Sequence, residues 1–105
     1  MDAVRRLTEP TVGVLRVLVS TEGPAWGLAI IRESGLAAGT VYPLLDRLER
    51  LGWVTSRWED DASRSGPRRR FYEFTGEGAI AATRAIATFD ARRRRIVAGA
   101  AVVQS

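Results

Sequence analysis

The sequence predicts a mainly α-helical protein with a small β-hairpin wing: a winged helix-turn-helix followed by a long C-terminal helix. Three observations favour this class. A helix-like segment with a continuous leucine stripe follows two shorter helical segments across a very short linker. Two β-branched and aromatic segments then flank a polar loop. An apolar repeat at intervals of three and four residues closes the chain, which at 105 residues has room for one small core.

The first two helices are predicted from their ends and their apolar content. Residues 9–11 (EPT) are typical of a helix start, and residues 12–19 are apolar on nearly all sides, so this helix should be mostly buried. Gly-Pro at 23–24 ends it. A second helix is expected over residues 25–33, closed by Gly35 as a C-terminal cap. Its inward-facing residues are expected to be Leu28, Ala29 and Ile31.

The third helix is the stretch GTVYPLLDRLERLGW, residues 39–53, which Gly52 terminates. Its inward stripe comprises Val41, Leu44, Leu45, Leu48 and Leu51. Thr40, Tyr42, Pro43 and Arg47 then lie away from the core. A helix N-terminus offers free N–H groups to a phosphate, and a recognition helix enters the major groove with its N-terminal residues. The bland alternative is that Tyr42 packs and Pro43, placed in the first turn, starts the helix.

The second half of the third helix mixes charges. Asp46 and Glu49 alternate with Arg47 and Arg50, which suits a solvated surface with ion pairs between successive turns better than a phosphate track. This half is therefore expected to lie outside the DNA groove, with Arg47 kept as a candidate contact.

The wing is predicted as two strands, residues 53–58 and 68–74, joined by a polar loop over 59–67. In the second strand one face carries Tyr72 and Phe74, and the other carries Arg69, Phe71 and Glu73. An arginine-rich hairpin can follow a DNA backbone or enter a narrow minor groove. The candidate contacts are Arg64, Arg68, Arg69 and Arg70. A solvated basic loop is the alternative, and Arg70, on the face of Tyr72, is also a candidate structural residue.

The last helix is expected to begin after Thr75, a suitable N-cap, which divides the chain into residues 1–75 and 76–105. Its apolar repeat is interrupted by Arg93 and needs a partner surface, which a second copy of the chain or a different protein would supply. The predicted dimer contacts are Ala82, Ile86, Phe89, Ile96, Ala100 and Val103.

Composition excludes several classes of function. The chain lacks cysteine and histidine, so disulfides, ordinary zinc sites and cysteine or histidine catalysis are excluded. The acidic residues 59–61 indicate a solvated loop tip rather than a metal site. We expect neither metal nor cofactor, no enzymatic activity, no membrane span or signal peptide, and a cytoplasmic location. The net charge of +4, carried by 16 basic residues that are all arginine, weakly favours a polyanionic partner.

Two stretches, GTVYPLLDRLERLGWV and GPRRRFYEFTGEG, resemble the PadR family of bacterial transcriptional repressors, and the likeness covers residues 11–96. A single helix after the wing is similar to the short subfamily, whose last helix dimerises. The resemblance implies a homodimer that binds palindromic operator DNA, and many such proteins release DNA when a small molecule binds. Two departures are visible: residues 25–28 read AWGL where the family usually has a small residue, Gly and Tyr, and residues 59–61 are acidic.

The resemblance also implies a candidate ligand site. Multidrug-binding relatives place an aromatic residue of the last helix at the pore between subunits, and Phe89 matches that position. The ligand would be a small, flat, apolar or aromatic compound. Trp26 is a weaker second candidate, and Arg93 would pair across the dimer or line a polar channel. The alternatives are that both aromatic residues belong to the core and that Arg93 is solvated. The alternative function is a winged-helix interaction module that pairs with another protein through its last helix and does not bind DNA.

Overall fold

Four helices and three short strands make up the part of the chain that the structure, a computed structural model, describes: residues 7–60, 66 and 68–104, with side chains as far as residue 99. Arg64 and the acidic residue at 61 lie outside it. The elements in chain order are α1 (Glu9–Ser20), β1 (Ala25–Trp26), α2 (Gly27–Ser34), α3 (Ala38–Arg50), β2 (Val54–Trp58), β3 (Arg70–Phe74) and α4 (Gly76–Gln104). The predicted fold class, a winged helix-turn-helix with a long last helix, is confirmed.

Helix α1 begins where the sequence predicted, and its N-cap Thr8 accepts a hydrogen bond from the Thr11 backbone N–H at 3.3 Å. Five of its apolar residues are buried, as expected from a run that is apolar on nearly all sides: Val12, Val14, Leu15, Val17 and Leu18. Val19 is the exception at 50% exposure, so the helix keeps one solvent-facing stripe.

The predicted start of α2 at residue 25 is wrong. Ala25 and Trp26 form the short strand β1 instead, paired antiparallel with Tyr72 and Phe71 of β3, and α2 begins at Gly27. The wing is therefore a three-stranded sheet in the order β1-β3-β2 rather than a two-stranded hairpin. The most deeply buried residue of α2 is Ile30, which the sequence did not single out. The C-cap was correct: Gly35 is left-handed, with φ of 73°.

Helix α3 ends in a Schellman motif around Gly52, whose φ is 80°. The Gly52 N–H donates to the Glu49 carbonyl at 3.0 Å, and the Trp53 N–H donates to the Leu48 carbonyl at 2.9 Å. These bonds turn the chain from α3 directly into β2. The wing is thereby fixed to the C-terminal end of α3.

Helix α4 begins at Gly76, behind the predicted N-cap. The Thr75 hydroxyl accepts from the Gly78 N–H at 2.9 Å and lies 2.8 Å from the Gly52 carbonyl, to which it donates. The first turns of α4 pack into the same core as α1 and α3, where Ala82 is fully buried. The core thus spans both of the segments predicted at 1–75 and 76–105.

Candidate nucleic-acid interface

The outward surface of α3 begins with groups suited to DNA. Val41, Leu45 and Leu48 are buried, which leaves Tyr42 and Pro43 exposed on the opposite side. The N-cap Ala37 provides no side-chain hydrogen bond, so backbone N–H groups at the start of α3 have no side-chain acceptor there. Of the other candidates on this helix, Thr40 is half-buried and Arg47 exposed.

The sequence predicted that Pro43 lies in the first turn of α3, and this prediction is wrong. The helix begins at Ala38, so Pro43 is its sixth residue and stands inside it. A proline has no N–H, and the carbonyl of Gly39, four residues earlier, therefore lacks its usual helical donor. Tertiary packing of the buried stripe overrides this local cost.

The Tyr42 ring lies close to Gly27, a residue that the sequence did not single out. A Cβ built on Gly27 would lie 3.1 Å from both Cε1 and Oη of the Tyr42 ring. The first residue of α2 therefore leaves room for this ring, and Tyr42 keeps 39% of its surface exposed. The helix-turn-helix thus presents an aromatic side chain whose orientation is restricted by contact with α2.

Arg70 links the wing to α3. Its guanidinium donates from Nε and Nη2 to the Ser56 hydroxyl, at 3.2 and 2.9 Å, and Nη2 lies 3.4 Å from Glu49 Oε1. The Ser56 hydroxyl in turn donates to Glu49 Oε2 at 2.8 Å. One strand residue from each side of the wing thus joins a carboxylate of α3. Arg70 therefore has the structural role that the sequence offered as an alternative, and its contact with DNA stays a prediction.

The other described wing arginines have different environments. Arg68 donates from Nε and Nη2 to the Glu59 carbonyl, at 3.3 and 3.0 Å, across the two strands. Arg69 lies over the Trp26 ring, with Cζ 4.1 Å from the ring centroid. A long side chain that is tied to a neighbour loses less conformational entropy when it binds a ligand. The wing therefore offers cations that are already partly ordered.

A groove of about 400 Å³ lies between α3 and the wing. Burial raises the pKa of Tyr72, which lines this groove, above its ordinary value. The lining is aromatic and charged: Trp26, Tyr42, Asp46, Trp58, Arg68, Arg70 and Tyr72. Of the predicted DNA contacts, the groove brings together Tyr42 of α3 with Arg68 and Arg70 of the wing, whereas Thr40, Pro43, Arg47 and Arg69 do not line it.

The predicted dimer contacts of α4 divide into two groups. Ala82 is fully buried and Ile86 packs against the core, so both contribute to the interior of the single chain. Ile96 is 66% exposed. Phe89 is half-buried, and the side chains of Ala100 and Val103 lie outside the described residues.

Two ion pairs join the middle of α4 to α1. Arg16 contacts Asp90 at 2.5 Å, and the hydrogen bond from Arg16 holds the pKa of Asp90 below its ordinary value. Arg93 contacts Glu9 at 2.6 Å and lies 5.8 Å from the Phe89 ring centroid. Arg93 is therefore paired within the chain. Of the predicted ligand residues, Phe89 and Arg93 are neighbours on α4, whereas Trp26 contacts the wing instead.

Across residues 7–60, 66 and 68–104, acidic side chains form no group of three that could hold a metal ion. Within the same residues, no helix has the length and apolar character required to cross a bilayer.

A helix-turn-helix with an arginine-bearing wing and a long last helix defines the winged-helix class of transcriptional regulators. The chain belongs to the transcriptional regulator PadR-like family, whose model matches residues 14–84. This membership places it among transcriptional regulators rather than enzymes. No match was found among curated protein sequences.

Solved structures agree with the family. A PadR-like transcription factor from Bacteroides fragilis is 25% identical with a TM-score of 0.63, over 82% of this chain and 84% of that one. A PadR family transcriptional regulator from Eggerthella lenta is 27% identical with a TM-score of 0.62, over 92% and 85%. The PcaV transcriptional regulator from Streptomyces coelicolor, in complex with its natural ligand, is similar in fold, with 24% identity and a TM-score of 0.71, over 89% and 62%.

Proposed function

We propose that this PadR-like regulator is a homodimeric, sequence-specific DNA-binding repressor. The observation that carries the proposal is the exposed outer surface of α3, centred on Tyr42, which shares one groove with Arg68 and Arg70 of the wing. A second copy related by a two-fold axis would place two α3 helices in successive major grooves of a palindromic operator, roughly 34 Å apart. The wings would then lie along the flanking phosphate backbone.

The DNA contacts proposed on α3 are Thr40, Tyr42, Pro43 and Arg47, and those on the wing are Arg64, Arg68, Arg69 and Arg70. Arg47 and Arg68 are exposed, which suits contact with phosphates. Glu49 forms an ion pair with Arg70 of the same chain, which supports the expectation that the second half of α3 stays outside the major groove of the DNA.

Footprinting on the DNA upstream of the gene, combined with titrations at several salt concentrations, tests DNA binding. We expect protection of a palindromic site and an affinity that falls steeply with salt through counterion release. Tyr42→Ala and Arg47→Ala should each lower operator affinity about tenfold, the loss of one specific contact. Arg94→Ala is the charge-matched control, because Arg94 is an exposed residue of α4. Binding that ignores both salt and sequence would contradict the proposal.

Homodimerisation is proposed through the second half of α4. Ile96 and Val97 are 66% and 65% exposed, and covering such side chains with a second copy would remove apolar area from water. Ile96→Asp should convert a dimer into a monomer in analytical ultracentrifugation, while Thr88→Asp, also on an exposed position of α4, should not. A dimer that survives Ile96→Asp would place the interface elsewhere. A stable heteromer with no operator footprint would favour the interaction-module alternative.

Release by a small aromatic ligand is the third part of the proposal. Phe89 offers a ring on α4 with the Arg93 guanidinium 5.8 Å from its centroid, and a flat compound could stack there. PcaV, a similar fold, was solved with its natural ligand. Planar aromatic compounds should raise the melting temperature of the wild type and lower its operator affinity, and Phe89→Ala should abolish both effects. A panel that leaves both quantities unchanged in the wild type would argue for a ligand-independent repressor.

A further inference from the structure

Arg69 differs from the neighbouring wing arginines in what its guanidinium contacts. Arg68 and Arg70 both donate hydrogen bonds to acceptors of the chain itself. The Arg69 guanidinium instead stacks on Trp26, with Cζ 4.1 Å from the ring centroid. Its Nε is buried and has no hydrogen-bond partner among the described residues, and no carboxylate of these residues pairs with it. Within the part of the chain that the structure describes, Arg69 is thus a cation that contacts a ring and has no carboxylate partner.

The β1–β3 pairing creates this contact. Trp26 is the antiparallel partner of Phe71, and directly opposed residues project from the same face of a sheet. Arg69 lies two residues before Phe71 and so projects from that face as well. The Trp26 ring and the Arg69 side chain are therefore neighbours because a two-residue strand precedes α2.

Trp26 and Gly27, where β1 passes into α2, also lie close to α3, the proposed recognition helix. Trp26 lines the groove that Tyr42 borders, and the next residue, Gly27, leaves the space that the Tyr42 ring occupies. Trp26 and Gly27 thus lie between the α3 surface and the root of the wing. The Trp26 ring thus lines the groove together with Tyr42, Arg68 and Arg70, and Arg69 contacts the same ring without lining the groove itself.

We propose that Trp26 is a positioning residue that presents Arg69 to a backbone phosphate of the bound DNA; this rests on the proposed DNA-binding function. The guanidinium lies over the ring with its Nε buried, so the terminal Nη nitrogens are the donors that a phosphate would accept from. Stacking also restricts a flexible side chain before DNA arrives, which lowers the entropy lost on binding. The phosphate supplies the anion that Arg69 lacks within the described chain.

The test measures the salt dependence of binding to a mixed-sequence duplex that spans two successive major grooves. Arg69→Gln should reduce the magnitude of the slope of log K against log salt by about 0.9, the loss of one phosphate contact. Trp26→Leu, which keeps apolar bulk without a ring, should reduce it by a similar amount, whereas Trp26→Phe should retain the wild-type slope. The double variant Trp26→Leu/Arg69→Gln should lose no more than Arg69→Gln alone, because both changes remove one contact.

Several results would overturn the proposal. Equal slopes for the leucine and phenylalanine variants would show that the ring face has no part in it. An unchanged slope for Arg69→Gln would show that Arg69 touches no phosphate. Arg94→Gln, which removes a cation from an exposed position on α4, should leave the slope unchanged. Thermal melts establish that each variant is folded, and Trp26→Met replaces the leucine variant if that one is not.

The proposed function and this inference fail in different ways. If the wild type shows no salt-dependent binding to any duplex, the DNA-binding function itself is refuted, and the inference with it. If the wild type binds and Arg69→Gln weakens binding, but Trp26→Leu does not, only the positioning role of Trp26 is refuted.

Discussion

Gly78 is the position at which the structure predicts the largest effect of adding a single methyl group. A Cβ on Gly78 would lie 1.8 Å from the Trp53 carbonyl oxygen and 2.5 Å from its carbon, both backbone atoms that cannot rotate away. The Gly78→Ala variant must therefore move the start of α4 away from the α3–β2 turn by about 1.5 Å or more to regain ordinary contact, which begins at about 3.4 Å.

Such a shift would break the contacts that fix α4. The Thr75 N–H donates to the same Trp53 carbonyl at 2.9 Å, and the Thr75 hydroxyl bonds the Gly52 carbonyl and accepts from Gly78. Each such bond contributes about 1 kcal/mol net, so their loss costs about 3 kcal/mol. The better helix propensity of alanine returns up to about 1 kcal/mol. We expect the free energy of unfolding to fall by about 2 kcal/mol or more.

Urea and thermal unfolding followed by circular dichroism, at matched protein concentration, would measure this loss. For a chain of this size, 2 kcal/mol corresponds to a fall in melting temperature of about 10 °C. Gly76→Ala is the matched control: it lies in the same helical turn and has no atom within 4 Å of its built Cβ. That variant should be neutral or slightly stabilising. Equal stability of Gly78→Ala and the wild type would refute the packing at this junction.

Three further predictions follow from the contacts of the interface and of α4. Gly27→Ala should displace the Tyr42 ring and lower operator affinity clearly, with only a small change in the melting temperature. If the variant binds the operator as tightly as the wild type, the contact between Gly27 and Tyr42 does not matter for binding. Glu49→Gln should destabilise the protein by less than about 1 kcal/mol, since the ion pair is partly exposed, while hydrogen exchange in the wing strands becomes faster; unchanged exchange would refute the link between wing and helix. The folded-state pKa of Asp90 is lowered by Arg16, so this pair stabilises the protein above the ordinary pKa of the carboxyl and loses its effect as the pH falls through the folded-state value. Asp90→Asn should therefore flatten the acid side of the melting-temperature profile, and an unchanged profile would count against the pair.

The sequence predicted α1 and α3 well because their burial follows local periodicity. The stripe through Val41, Leu45 and Leu48 needs no knowledge of distant residues, since any core contacts the same helix face. The caps at Gly35 and Thr75 were also local signals. They depend on backbone geometry within one turn of the chain.

Features that depend on distant partners could not be predicted in this way. Ala25 and Trp26 look helical in isolation, and only their pairing with β3 makes them a strand. Arg93 interrupts an apolar repeat, and its partner Glu9 lies at the other end of the chain. Only the tertiary structure brings such residues together. Pro43 shows the opposite case: a proline normally interrupts a helix, but packing of the buried leucines keeps α3 helical through this residue.

The proposed DNA contacts depend on Trp26 and Gly27, two residues where β1 passes into α2 that are not themselves expected to contact a base. Gly27 leaves space for Tyr42, and Trp26 stacks on Arg69, so the two surfaces are oriented by adjacent residues. Binding groups that are ordered beforehand lose less entropy and keep their geometry better than groups on free loops. This is also where the sequence departs from the usual family pattern. In the proposed complex, changes at Trp26 and Gly27 would therefore alter how recognition helix and wing act together while every DNA-contacting side chain is still present.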